Sequence, residues 1–235
     1  MRKSLAALGA AAILAGCASS GGAPTIQSGP DAEVTADGLY KVDNSVMALG
    51  WMKPDMDLRP YTAIMIDPVE VAYQTDPGSR TRSTGPGDPG GNFALTAPQM
   101  ENFKSMFQEA VAEALSEDDG YRIVDAPGPD VLRISAALID LIVRVPTQRT
   151  SGRGGVVARS FGLVTLVVEA RDSQSGEILA RAADRRDPTT GNATGIAQVT
   201  LGMVSRDVRR LFRFWAVILR ERLDALRELE IEPIQ

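Results

Sequence analysis

Val164-Thr165-Leu166-Val167-Val168-Glu169-Ala170-Arg171-Asp172-Ser173-Gln174-Ser175-Gly176-Glu177-Ile178-Leu179-Ala180 sets two apolar runs on either side of a polar turn. In the first run Val164, Leu166, Val168 and Ala170 alternate with Thr165, Glu169 and Arg171, the period of a strand with one wet face. Asp172 and Ser173 bond readily to nearby backbone and Gly176 tolerates positive φ, so residues 172–176 predict a hairpin loop between strands 160–171 and 177–185. Upstream, the turn Pro127-Gly128-Pro129-Asp130 separates a short strand at Tyr121–Val124 from a longer apolar one over 131–144. Residues 61–73 predict another strand, in which Pro68 cannot donate to a ladder and marks a bulge or an end.

Two helices flank these strands. Thr96 followed by Gln99 has the form of a capping box, Pro98 lies in the first turn, and Met100, Phe103, Phe107, Val111 and Leu115 recur at helical spacing. They predict a helix over 97–117, stopped by Asp118-Asp119-Gly120 with Gly120 in the left-handed position. A long final helix over 197–229 carries the stripe Val208, Leu211, Phe212, Trp215, Ile218, Leu219, Leu223 and Leu226, with Trp215 in the core. Arg206, Arg209, Arg210, Arg213, Arg220, Arg222 and Arg227 are expected opposite that stripe, mostly on a solvated face. The fold class is therefore α/β: a mixed sheet of about four to five strands with two main helices packed on one face.

The amino terminus reads differently. Arg2 and Lys3 precede an apolar run from Leu5 to Leu14, too short to span a bilayer, and Leu14-Ala15-Gly16-Cys17 closes it. That tetrapeptide resembles the lipobox of bacterial lipoproteins, which implies cleavage of residues 1–16, a diacylglycerol on the Cys17 thiol and a further acyl chain such as palmitate on the new amine. The resemblance also implies the periplasmic face of the outer membrane, because Ala18 stands where an inner-membrane retention Asp would be. Residues 17–37 then read as lipidated Cys and flexible tether, 38–60 as an arm whose Leu39, Tyr40, Val46, Met47, Leu49, Trp51 and Met52 pack on the domain, and 61–231 as a single domain.

Composition narrows the chemistry. The 235 residues contain no His and a single Cys, which excludes Ser-His-Asp and Cys-His machinery, His or Cys metal clusters and an intramolecular disulfide. With 25 basic against 30 acidic residues, and Arg2 and Lys3 lost with the signal, the mature chain is acidic and a poor nucleic-acid binder. No cofactor is implied. Asp67, Asp140, Glu169, Asp172, Glu177, Asp184 and Asp187 lie in or beside strands and are the candidates for general acid–base work, although such acids ordinarily solvate a surface or form turns. A carboxylate-dependent hydrolase acting on an envelope glycan is the alternative they support. The expectation is a protein that is not an enzyme.

Arginine is abundant, 21 against four Lys, and part of it falls in three loops: Arg80 and Arg82 in 74–95, Arg149 and Arg153 in 146–158, Arg185 and Arg186 in 185–195. Guanidinium groups grip phosphate and carboxylate oxygens bidentately, so these six are candidates for a basic rim that engages an anionic envelope component or an envelope protein. The loops after 131–144 and 177–185 leave one end of a meander. The loop after 61–73 joins them only if that strand runs parallel to 131–144, which the turn at 125–130 leaves open.

Taken together, the lipobox, Asp37-Gly38-Leu39, the Asp67-Pro68-Val69 centre of Tyr61–Val71, Tyr121-Arg122-Ile123-Val124 before Gly128-Pro129-Asp130-Val131-Leu132, Arg171-Asp172-Ser173 with Ser175-Gly176-Glu177, and a Trp-bearing final helix resemble the bacterial lipoproteins grouped as domain of unknown function 3313. The likeness spans most of residues 37–228. It implies an exported lipoprotein with no assigned activity and carries over no catalytic residue; the expected role is a non-catalytic binding or assembly module, anchored to membrane by its amino-terminal lipid. The element order is more loosely similar to the small α/β domains of TolB-like and transport-associated lipoproteins.

Overall fold

The computed structural model describes residues 23–74, 95–142, 163–188 and 201–228. In chain order the elements are β1 Thr25–Ile26, β2 Tyr40–Asp43, β3 Leu49–Met52, β4 Ala63–Ile66, β5 Glu70–Tyr73, α1 Ala97–Ser116, β6 Arg122–Val124, β7 Val131–Leu141, β8 Val164–Asp172, β9 Ile178–Arg186 and α2 Leu201–Glu228. The strands form one mixed sheet in the order β1-β2-β3-β9-β8-β7-β4-β6, with β5 also on β7. The α/β class and the two helices are as expected, but the sheet has nine strands rather than four to five. Three additional strands come from the amino-terminal side, and one from the division of residues 61–73 into β4 and β5. Leu49–Met52 pairs antiparallel with Ala180–Ala183, so the stretch read as a packed arm extends the sheet, and Thr25–Ile26, read as tether, pairs with β2.

Residues 61–73 follow β7 as two parallel strands, β4 beside Val131–Ile134 and β5 beside Ala137–Leu141. The break falls at Asp67-Pro68-Val69, as the missing N–H of Pro68 requires. Asp67 bridges it: its N–H donates to Ile134 O at 2.9 Å, and its carboxylate accepts from Arg133 Nε at 2.8 Å and Ser135 Oγ at 2.5 Å. β7, β8 and β9 form the expected antiparallel meander, in which alternate residues of β8, Val164 to Ala170, are buried. Because β4 and β5 are parallel to β7, and β9 is antiparallel to β8, the chain leaves β5, β7 and β9 at one end of the sheet.

Both helices cover the same sheet face. Phe212 of α2 meets Phe103 and Phe107 of α1 edge to face, at 5.1 and 5.3 Å between ring centroids, and stacks on Trp215 at 6.2 Å. At the start of α1 the Thr96 N–H donates to the Gln99 side chain at 2.9 Å, one arm of the capping box. Its end corrects the sequence reading. Asp118 and Asp119 take the left-handed conformation, with φ of 48° and 58°, and Gly120 does not. Glycine is needed at 120 for space, since a Cβ there would lie 2.3 Å from Leu115 O and 2.2 Å from Arg220 Nη1. That Nη1 donates to Leu115 O and Glu117 O at 3.0 Å and to Ala114 O at 3.3 Å, so Arg220 leaves the solvated face expected for it and satisfies the orphan carbonyls of α1.

Gly120→Ala should therefore destabilise the fold by about 1–3 kcal/mol through overpacking, read as a lowered urea midpoint at unchanged slope.

Candidate ligand-binding cavity

Between α2 and the middle of the sheet the two layers do not close. The register aligns Gly50 with Ala182, Ala182 with Val168 and Val168 with Ala136, so a rung crossing four strands presents small side chains to the helix. In the next rung, Met52, Ala180, Ala170 and Ile134, the two central positions are again small and the outer two are large. Where Phe103 and Phe107 fill the space against Phe212, these residues leave an apolar cavity of about 370 Å³, roofed by Trp215, Ile218, Leu219 and Leu223. Ala23, Pro24 and Ile26 form part of its wall, as do Val46 and Met47 of the β2–β3 loop. This volume is within the roughly 300–1,000 Å³ of small-molecule sites.

Arg222 adds a polar group to this wall. Its Nε–H is buried with no hydrogen-bond partner among the described residues. Seven residues from Trp215, Arg222 lies two helical turns along the same stripe, so it belongs to the cavity side and not to the solvated face expected for it. A cavity of this kind can hold an alkyl chain, with one donor for an oxygen at its head.

The roof is fixed by Asp184. This buried carboxylate accepts from Trp215 Nε1 at 2.8 Å, Arg186 Nε at 2.5 Å and the Ala48 N–H at 3.3 Å, which joins β9, α2 and the β2–β3 loop. It is a satisfied buried charge of the kind that low dielectric makes hard to disrupt.

Of the residues singled out from sequence, Cys17, Arg80, Arg82, Arg149 and Arg153 lie outside the described residues. Arg185 and Arg186 lie at the end of β9 and are engaged within the fold. Arg185 pairs with Asp140 at 3.6 Å, and Arg186 pairs with Asp184 while its guanidinium sits 4.4 Å from the Phe214 ring centroid. The strand-flanking carboxylates are engaged too: Asp67 with Arg133, Glu169 with Arg171 and Arg181, Glu177 with Lys53, and Asp140 with Arg185 and Thr165. Asp172 collects donors from its own turn, the Ser175 N–H at 2.7 Å and the Gln174 N–H at 3.1 Å, and from Tyr61 Oη at 2.9 Å. The Ser175 N–H and hydroxyl hold the Asp172 carboxyl below its ordinary value, and burial together with the bond to Asp172 pushes the Tyr61 hydroxyl up to about 12. No group of His, Cys, Asp and Glu able to hold a metal ion occurs among the described residues, and no helix there is long and apolar enough to cross a membrane.

The family model described as "Protein of unknown function (DUF3313)" matches residues 36–217, and that of a prokaryotic membrane lipoprotein lipid attachment site matches residues 1–18. No curated protein matches. Similar solved structures include the PelC dodecamer from Paraburkholderia phytofirmans, 12% identical over 70% of this chain and 92% of that one, with a TM-score of 0.34. Protein XCC0632 from Xanthomonas campestris is 12% identical over 74% of this chain and 93% of its own, also at 0.34. A putative lipoprotein from Caulobacter crescentus is 14% identical over 54% of this chain and 85% of its own, at 0.30.

Asp184→Ala strands the Trp215 N–H and the Arg186 charge and should lower unfolding free energy by about 3–5 kcal/mol in urea titrations. The Asp172 turn contributes fully above the ordinary carboxyl value of 3.8 and loses that contribution as pH falls through its lowered folded value. Asp172→Asn should flatten the stability profile in that acid window.

Proposed function

The chain belongs to the DUF3313 family, and from that membership, the lipid attachment site and the cavity beneath α2 we propose that it is a lipid-anchored envelope protein whose domain is a non-catalytic binding module for an acyl chain. Its proposed seat is the periplasmic face of the outer membrane, for which Ala18 after Cys17 is the supporting residue. The cavity carries the reading. Its lining is apolar on the sheet side and the helix side alike, and Arg222 supplies a donor for an ester or carboxyl oxygen.

A second reading, contact with an anionic envelope component or an envelope protein at the loop-bearing end, is favoured by the common exit of the chain from β5, β7 and β9. Arg185 and Arg186 already serve ion pairs, so such a rim depends on Arg80, Arg82, Arg149 and Arg153. Hydrolysis of an envelope glycan draws no support from Asp67, Glu169, Glu177 and Asp172, which are held by arginine, lysine or turn donors.

Trp215 and Trp51 both border the cavity, and since they are the two tryptophans of the chain, Trp51→Phe leaves Trp215 as the reporter. In the mature, unlipidated chain (Cys17→Ala) with Trp51→Phe, bromine-labelled stearic acid should quench Trp215 saturably. Ala182→Phe, which fills the cavity floor, should weaken that binding at least about tenfold, or about 1.4 kcal/mol, with an unchanged circular dichroism spectrum. Absence of quenching, or equal affinity in a folded Ala182→Phe protein, would overturn the proposal.

A further inference from the structure

We infer that the cavity is the seat of one of the chain's own acyl groups, carried on Cys17 and folded back beneath α2; this rests on the acyl-binding reading of the cavity above. The chain enters the described structure at the cavity itself, where Ala23, Pro24 and Ile26 form part of the wall. Only six residue steps separate Cys17 from Ala23. At full extension they span no more than about 22 Å, and as a flexible coil about 14 Å, so an acyl group on Cys17 is never far from the opening. Confinement on such a short tether corresponds to an effective concentration on the order of millimolar, far above that of a free fatty acid in an aqueous compartment.

Capacity and polarity agree with this occupant. At about 30 Å³ for a water-sized group, the cavity volume of about 370 Å³ accepts roughly a dozen methylene-sized units, the bulk of one chain. A lipidated amino terminus with several chains can therefore seat one and leave the others in the bilayer. An acyl chain linked by ester or amide brings a carbonyl oxygen at its head, and the buried Arg222 Nε–H lacks an acceptor among the described residues. Seating the chain would draw the domain down to the membrane and close the cavity to ligands from elsewhere.

The test compares three mature proteins, each Trp51→Phe and each with the same vesicles of phosphatidylethanolamine and phosphatidylglycerol: the lipidated protein, the Cys17→Ala protein, and a lipidated protein with twenty Gly/Ser residues inserted after Ala18. The probe is bromine-labelled stearic acid and the readout is Trp215 quenching. The lipidated protein should bind the probe at least about tenfold more weakly than Cys17→Ala. Lengthening the tether from six to twenty-six residues should relieve that block by roughly ninefold, the −3/2 power of the length ratio. If Cys17→Ala and the lipidated protein bind equally, the cavity serves lipid or a partner's apolar segment from outside, and the self-seating inference falls while acyl binding stands. A block that the insertion leaves unchanged comes from the membrane and overturns the inference as well. If Cys17→Ala fails to bind the probe, acyl binding itself fails and the inference with it.

Discussion

A single buried carboxylate, Asp184, determines how the helical layer sits on the sheet. It holds Trp215 Nε1 at 2.8 Å from the floor of the domain and takes the Arg186 charge and the Ala48 N–H with its remaining lone pairs. Burying a carboxylate is tolerable only when its acceptor capacity is used, so the position of α2 is set by hydrogen-bond geometry as well as by how far apolar surfaces can collapse. A second peg lies further along the same helix, where Arg220 reaches the last carbonyls of α1. Held at both points, α2 cannot settle onto the small residues below it. An apolar gap persists where packing forces alone would close it.

The two halves of the helix–sheet layer thus do different work with the same class of side chain. Against α1, aromatic rings interlock and the core is dense. Against β3, β9 and β8, Gly50, Ala182, Ala180 and Ala170 are too small to reach the helix. An apolar volume of this kind gains dispersion contacts when an apolar chain fills it, in proportion to its size.

Much of this was legible in the sequence where the signal is local. The alternation of Val164 to Ala170, the Asp172 turn, the stop at Pro68 and the limits of α1 depend on neighbours within a few residues, and the structure reproduces them. What escaped depends on partners far along the chain. Nothing near Leu49–Met52 announces that it pairs with Ala180–Ala183, so three amino-terminal strands read as tether and arm. Gly120 reads as a left-handed turn because part of its constraint, the guanidinium of Arg220, lies a hundred residues away, beside the local Leu115 O. The cavity needed the cross-strand alignment of Gly50, Ala182, Val168 and Ala136, which periodicity does not supply. Arg222 is the exception, since its place two turns beyond Trp215 could have been counted.

The pairing of β1 gives the molecule a mechanical weak point. Thr25–Ile26 is the outermost strand, two residues long, and it sits nearest the anchored end of the polypeptide. Tension between membrane and domain would load that strand first and unzip its few ladder bonds one at a time, well before the longer β3–β9 seam felt the strain. Since Ile26 and its neighbours wall the hollow beneath α2, the first yield under pull would remove part of that wall.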